Sequence, residues 1–136
     1  MLAAQDTTTY EGGALRIESL RGDARVVRGA DGALVGKIGI FRGIDVPNLV
    51  ASSQKAAAEA RKFVHDYKPG VLVLSIGVAT TGLALGVSTI QDVSPLIKVG
   101  LTLSGIALVA YGAGRLEDAY NALERSVWWY NSDLKH

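Results

Sequence analysis

The runs VLVLSIGVATTGLALGVSTI, residues 71–90, and PLIKVGLTLSGIALVAYGA, residues 95–113, are separated only by Gln91-Asp92-Val93-Ser94 and carry charge on their outer flanks. A helix rises about 1.5 Å per residue, so roughly 20 residues cross a hydrocarbon core of about 30 Å, and each run is close to that length. The pair predicts a transmembrane helical hairpin.

With 136 residues, 49% of them hydrophobic, the chain has room for one hairpin and one small module outside the membrane, and none for a large enzyme domain. The net charge of +1 is spread unevenly. Residues 1–68 carry ten basic and eight acidic groups, the hairpin carries Asp92 and Lys98, and residues 115–136 carry three basic and four acidic. No segment is basic enough to suggest nucleic acid. The absence of cysteine removes disulfides, iron–sulfur clusters, thiolate zinc sites and thiol nucleophiles together. Residues 1–10, MLAAQDTTTY, have neither a basic n-region nor an apolar h-region, so the hairpin itself is expected to direct insertion.

Toward the N-terminus, residues 14–20 alternate apolar and polar, with Leu15 and Ile17 on one side, as a half-buried strand does. Gly22-Asp23 offers a turn. Arg25–Arg28 and Ala33–Phe41 bracket Gly29-Ala-Asp-Gly32, whose Asp-Gly pair tolerates the positive φ of a tight hairpin. These runs predict a three-stranded antiparallel meander too small to be stable alone. Asp45 caps a helix with Pro47 in its first turn, and Ser52 and Ser53 interrupt or recap it. From Gln54 to Tyr67 the chain is rich in helix formers, with Ala56, Ala60, Phe63 and Tyr67 on one stripe. Lys68-Pro69-Gly70 is expected to break or bend the chain at the membrane boundary. After the second run, Arg115–Tyr130 places Leu116, Tyr120, Leu123 and Val127 at helical spacing, which predicts an amphipathic helix that either follows or continues the span. The reading is an α+β membrane protein with an N-terminal segment and meander over 1–44, a juxtamembrane helix over 45–68, the hairpin over 70–114 and a C-terminal amphipathic helix over 115–136. No internal repeat stands out.

Arg61, Lys62 and Lys68 precede the first span and Arg115 and Arg125 follow the second, while the connector has no basic residue. The positive-inside rule then puts both termini in the cytoplasm, at a bacterial inner membrane. Lys98, a few residues into the second span, is expected to snorkel toward the connector and Asp92.

Ser75, Ala79, Gly82 and Gly86 line one face of the first span, with Gly82–Gly86 forming a GxxxG, and Gly100, Ser104, Ala107, Tyr111 and Gly114 repeat that spacing in the second. Lipid supplies no hydrophobic drive between helices, so close approach through small residues is how spans associate. These faces are expected to pack on each other within the hairpin, or else on another subunit. Tyr67 and the cluster Trp128-Trp129-Tyr130 are candidate anchors at the membrane–water interface or docking aromatics. His65 is a candidate ligand for a haem or chlorophyll metal, weighed against a plain surface histidine, and the surface residue is preferred. Charge is missing at mid-depth, which disfavours a transporter. The chain has no HExxH, GxSxG or phosphate-cradling glycine loop, and the glycines at 36, 39 and 43 read as strand or bulge glycines, so no catalytic, metal or cofactor site is expected.

The favoured reading is a non-catalytic structural or accessory subunit whose partners are the lipid bilayer and other membrane-protein subunits of a larger bacterial complex. Photosynthetic and respiratory assemblies are analogies for such a complex. The alternatives are a homo-oligomeric, holin-like pore former and a membrane-anchored ligand or signal module.

Overall fold

The computed structural model describes residues 10–20 and 23–135. Three strands, β1 (Leu15–Leu20), β2 (Asp23–Arg28) and β3 (Ala33–Lys37), are followed by a short helix α1 (Val46–Leu49) and two long ones, α2 (Gln54–Ser88) and α3 (Pro95–Asp133). The class is α+β, with a three-stranded antiparallel sheet and two helices long and apolar enough to cross a membrane. The chain divides into two compact units: one holds residues 1–64 and 120–136, the other residues 65–119.

In the first unit the sheet is a meander in the order β1-β2-β3, with Leu15 opposite Arg28 and Leu20 opposite Asp23. Glu18 faces Arg25 across the strands, and the pair closes an ion pair at 3.3 Å. The β2–β3 turn is made by Gly29 at φ +75° and Gly32 at φ +69°, a region open to glycine at little steric cost. A bulge between Val26 and Val27 shifts the register, so that Val27 faces Leu34 while Val26 faces Gly36. The predicted Gly22 turn lies outside the described residues. The third strand is shorter than its sequence suggests, ending at Lys37 rather than Phe41, because the Ile44 amide donates to the Lys37 carbonyl at 2.9 Å and folds residues 38–43 into a loop.

Capping residues act where the sequence places them. The Asp45 carboxylate accepts from the Asn48 amide at 3.3 Å, and the buried Ser53 hydroxyl accepts from the Ala56 amide at 3.3 Å, starting α2 afresh after α1 ends. Leu15, Val26, Val27, Val46, Val50, Ala56, Ala60, Phe63, Leu123 and Val127 are buried in this unit. The strands and helices of the unit therefore share an apolar interior, which a meander of this size lacks by itself.

The break expected at Pro69 is absent, and of the two courses open to the chain after the second run it takes continuation. Helix α2 runs through Pro69 without ending, and α3 is a single helix from Pro95 to Asp133 with Gly112 and Gly114 inside it. A proline in a helix interior forfeits one backbone hydrogen bond, here to the carbonyl four residues earlier at His65, and costs roughly 3 kcal/mol. Strong helix formers precede it, and the adjacent Gly70 packs on the Leu116 side chain of α3.

Candidate functional site

The second unit is built on contact between α2 and α3, and its glycines show where that contact lies. A methyl group added to Gly77 would lie 2.6 Å from the Val109 amide nitrogen, and one added to Gly112 would lie 2.5 Å from the Leu74 nitrogen. At Gly105 the added group would meet the Thr81 hydroxyl at 2.5 Å and its amide nitrogen at 2.9 Å. Gly70 is looser, its added group falling 3.2 Å from the Leu116 side chain. Stepping from 70 to 74, 77 and 81 on α2 is matched by stepping from 116 to 112, 109 and 105 on α3. Equal steps of opposite sign define an antiparallel register, with backbone against backbone.

The small residues expected to form this seam lie elsewhere. Around Gly82, Gly86, Gly100 and Gly114 there is open space within 4 Å, and Ser75, Ala79, Ser104 and Ala107 are exposed. At these residues the two helices do not meet each other within the hairpin. The cause is rotational: Gly82 stands five residues past Gly77, about 140° around the axis, and Gly114 stands two past Gly112, about 200° around. Both spans carry small residues on two faces, and only one face turns inward. The signal that marks the inner face is a spacing of seven, Gly70, Gly77 and Ala84 on α2 and Gly105, Gly112 and Ala119 on α3, all buried. A seven-residue beat is what keeps one stripe of a helix facing a partner.

The outward surface is strongly apolar. Only 17% and 11% of the most apolar windows of α2 and α3 are buried, and Leu72, Leu83, Leu85, Leu96, Leu103 and Ile106 are among the exposed large side chains. Hydroxyls on this surface turn back on their own helix. Ser75, Thr80 and Thr102 donate to the carbonyls of Val71, Ile76 and Lys98, at 2.8 to 2.9 Å. Such bonds satisfy a hydroxyl where no water does. Lys98 does reach the connector, though not Asp92. Its ammonium donates to the carbonyls of Ile90 at 2.7 Å and Ser88 at 3.2 Å, satisfying carbonyls left open at the C-terminus of α2.

At the other end of this unit, Asp66 accepts from His65 at 3.1 Å and lies 3.6 Å from Arg115, whose guanidinium sits 5.6 Å from the centre of the Tyr111 ring. His65 is thus an exposed member of a polar cluster. Among the described residues no group of three or more histidine, aspartate, glutamate or cysteine side chains converges to hold a metal.

In the first unit the last turns of α3 grip the other elements. The Asn131 amide accepts from the Leu15 amide at 2.7 Å and donates to the Leu15 carbonyl at 2.8 Å, completing the edge of β1 as a neighbouring strand would. Ser126 donates to the Ala56 carbonyl at 2.9 Å. Glu59 receives Lys62 at 2.7 Å and Arg125 at 3.0 Å. The hydrogen bond from Lys62 leads in holding the Glu59 carboxyl below the usual carboxylate range; partial burial opposes it and Arg125 adds to it. Of the aromatic cluster, Trp128 is 61% exposed, whereas Trp129 is half-buried under the Lys55 ammonium, 4.3 Å from its ring centre. The two indoles meet edge to face at 4.6 Å. Tyr130 is half-buried, as is Tyr67 in the second unit. Tyr10, Trp128, Asn131, Ser132 and Lys135 line a shallow cavity of about 150 Å³, below the roughly 300–1,000 Å³ of small-molecule sites.

The chain matches no family model, no curated protein and no solved structure.

Proposed function

We propose that this chain is a non-catalytic accessory subunit of a larger bacterial membrane complex, crossing the bilayer as a two-helix hairpin with both termini on the cytoplasmic side. The observation that carries the proposal is the pair of unlike faces on the hairpin. One face is closed by backbone contact through Gly77, Gly105 and Gly112. The other offers large apolar side chains interspersed with Gly82, Gly86, Gly100, Ser104 and Gly114, none of which the hairpin itself uses. Small residues on a lipid-facing surface let a further span approach closely. The self-satisfied hydroxyls favour hydrocarbon over water on that surface, and the basic residues near its outer ends favour the cytoplasmic orientation. Trp128, together with the first unit's remaining surface, supplies contacts outside the bilayer.

Purification from native membranes in mild detergent, with mass spectrometry of co-migrating chains, tests this directly. A fixed stoichiometric set of different subunits is expected. A ladder built of this chain alone would replace the accessory role with a homo-oligomeric pore.

A further inference from the structure

Loop 38–43 of the first unit ends in Ile40-Phe41-Arg42, and Phe41 is 95% exposed. Nothing about the loop suggests slack. Its neck is closed by the Ile44–Lys37 backbone hydrogen bond, and the backbones of Gly39 and Gly43 touch where its limbs converge, with a Cβ on Gly43 falling 2.9 Å from the Gly39 nitrogen. The two glycines let the limbs meet and leave Phe41 and Arg42 exposed between them, next to a half-buried Ile40 in sequence. The fold therefore spends its ordering on holding an aromatic ring in the open.

We infer that this tip inserts into the headgroup region of the bilayer, Phe41 entering the acyl boundary and Arg42 meeting lipid phosphate. The inference rests on the membrane reading of the hairpin. A convex tip offering about one aromatic side chain, roughly 150–250 Å², is far below the approximately 1,000 Å² of a specific protein interface. A bilayer demands no matching shape, and an aromatic ring next to a cation suits its interfacial zone. One ring binds a membrane weakly by itself. Tethered to a hairpin in the same bilayer it acts at high effective concentration, so a weak contact suffices.

The test uses the full chain in vesicles of phosphatidylcholine and phosphatidylglycerol, with Trp128→Phe and Trp129→Phe removing both native indoles and Phe41→Trp placing one at the tip. Emission blue-shifted relative to the detergent-free aqueous indole, several-fold protection from iodide, and quenching by lipids brominated near the headgroup are expected. Arg42→Glu should weaken all three. A water-like, iodide-accessible indole overturns the inference, as does a blue-shifted one that brominated lipids fail to quench, because that ring is buried in protein. Leu83→Trp in the same background reports on the hairpin separately. If its indole is quenched by bromine deep in the acyl chains while position 41 stays aqueous, the tip inference fails alone; if position 83 is aqueous too, the membrane reading falls with it.

Discussion

Gly112 and Gly100 belong to one helix and one residue type, yet their substitutions should have opposite effects. A methyl group at 112 has a backbone nitrogen of the facing helix 2.5 Å away, so Gly112→Ala must push the helices apart or distort them. Overpacking of this kind costs about 1–3 kcal/mol. At Gly100 nothing stands within 4 Å, and Gly100→Ala should be neutral or stabilise by up to about 1 kcal/mol through helix propensity. Thermal unfolding of the purified chain in detergent separates the two, and equal destabilisation would contradict a seam at Gly112. Asn131→Leu strips both hydrogen bonds from the backbone of Leu15, a loss of about 2 kcal/mol at roughly 1 kcal/mol each. Amide exchange at Leu15 should then accelerate ahead of exchange at Val27 in the central strand. Glu59 adds a pH dependence. Its folded-state carboxyl titrates below the ordinary value of 4.5, so its contribution is complete above that value and is lost as pH falls through the lower, folded one. In Glu59→Gln that part of the acid-side slope should vanish from a stability–pH curve, while neutral-pH stability drops only modestly, since the ion pairs are partly solvated.

Among the elements, local chemistry made some legible in sequence and long-range packing hid others. The meander, the Asp45 and Ser53 caps and the two apolar helices follow from alternation, side-chain oxygens ahead of helices, and run length, all of which act within a few residues. The run of α2 through Pro69 did not. Pro69 is a local breaker, and beside it Gly70 packs on Leu116, a residue some 40 positions away, as Gly112 does on Leu74. Which small-residue face turns inward was hidden for the same reason. Residues 75, 79, 82 and 86 obey the helical period as well as 70, 77 and 84 do, and only the partner helix decides between them. Ile38, Ile40 and Phe41 are good strand residues and favour an extended third strand, whereas the Ile44–Lys37 bond that closes the loop leaves no trace in composition.

The two helices tie both compact units into one chain, and their termini make the proposed topology simple to check. An antiparallel pair that spans a bilayer must place the connector on one side and both outer ends on the other. Since the sequence has no cysteine, single-cysteine variants at Asp92 and Lys135 report the two sides without background. A membrane-impermeant maleimide should label Asp92→Cys from outside intact cells and Lys135→Cys only after lysis; labelling of both from outside would contradict the orientation. The glycine seam bears, finally, on how such a chain can drift over generations. A contact between bare backbones has no side chain to trade for another, so compensation by a neighbour, the ordinary escape route for a core residue, is closed at Gly77, Gly105 and Gly112. The outer faces are free to exchange one apolar residue for another until some partner claims them. In a saturation-mutagenesis screen of the hairpin, intolerance should therefore concentrate at Gly77, Gly105 and Gly112 and at the residues that face them, Leu74, Thr81 and Val109, and forbidden positions on the outer faces, such as Gly82, Gly86 or Gly100, would mark the footprint of whatever the hairpin leans against.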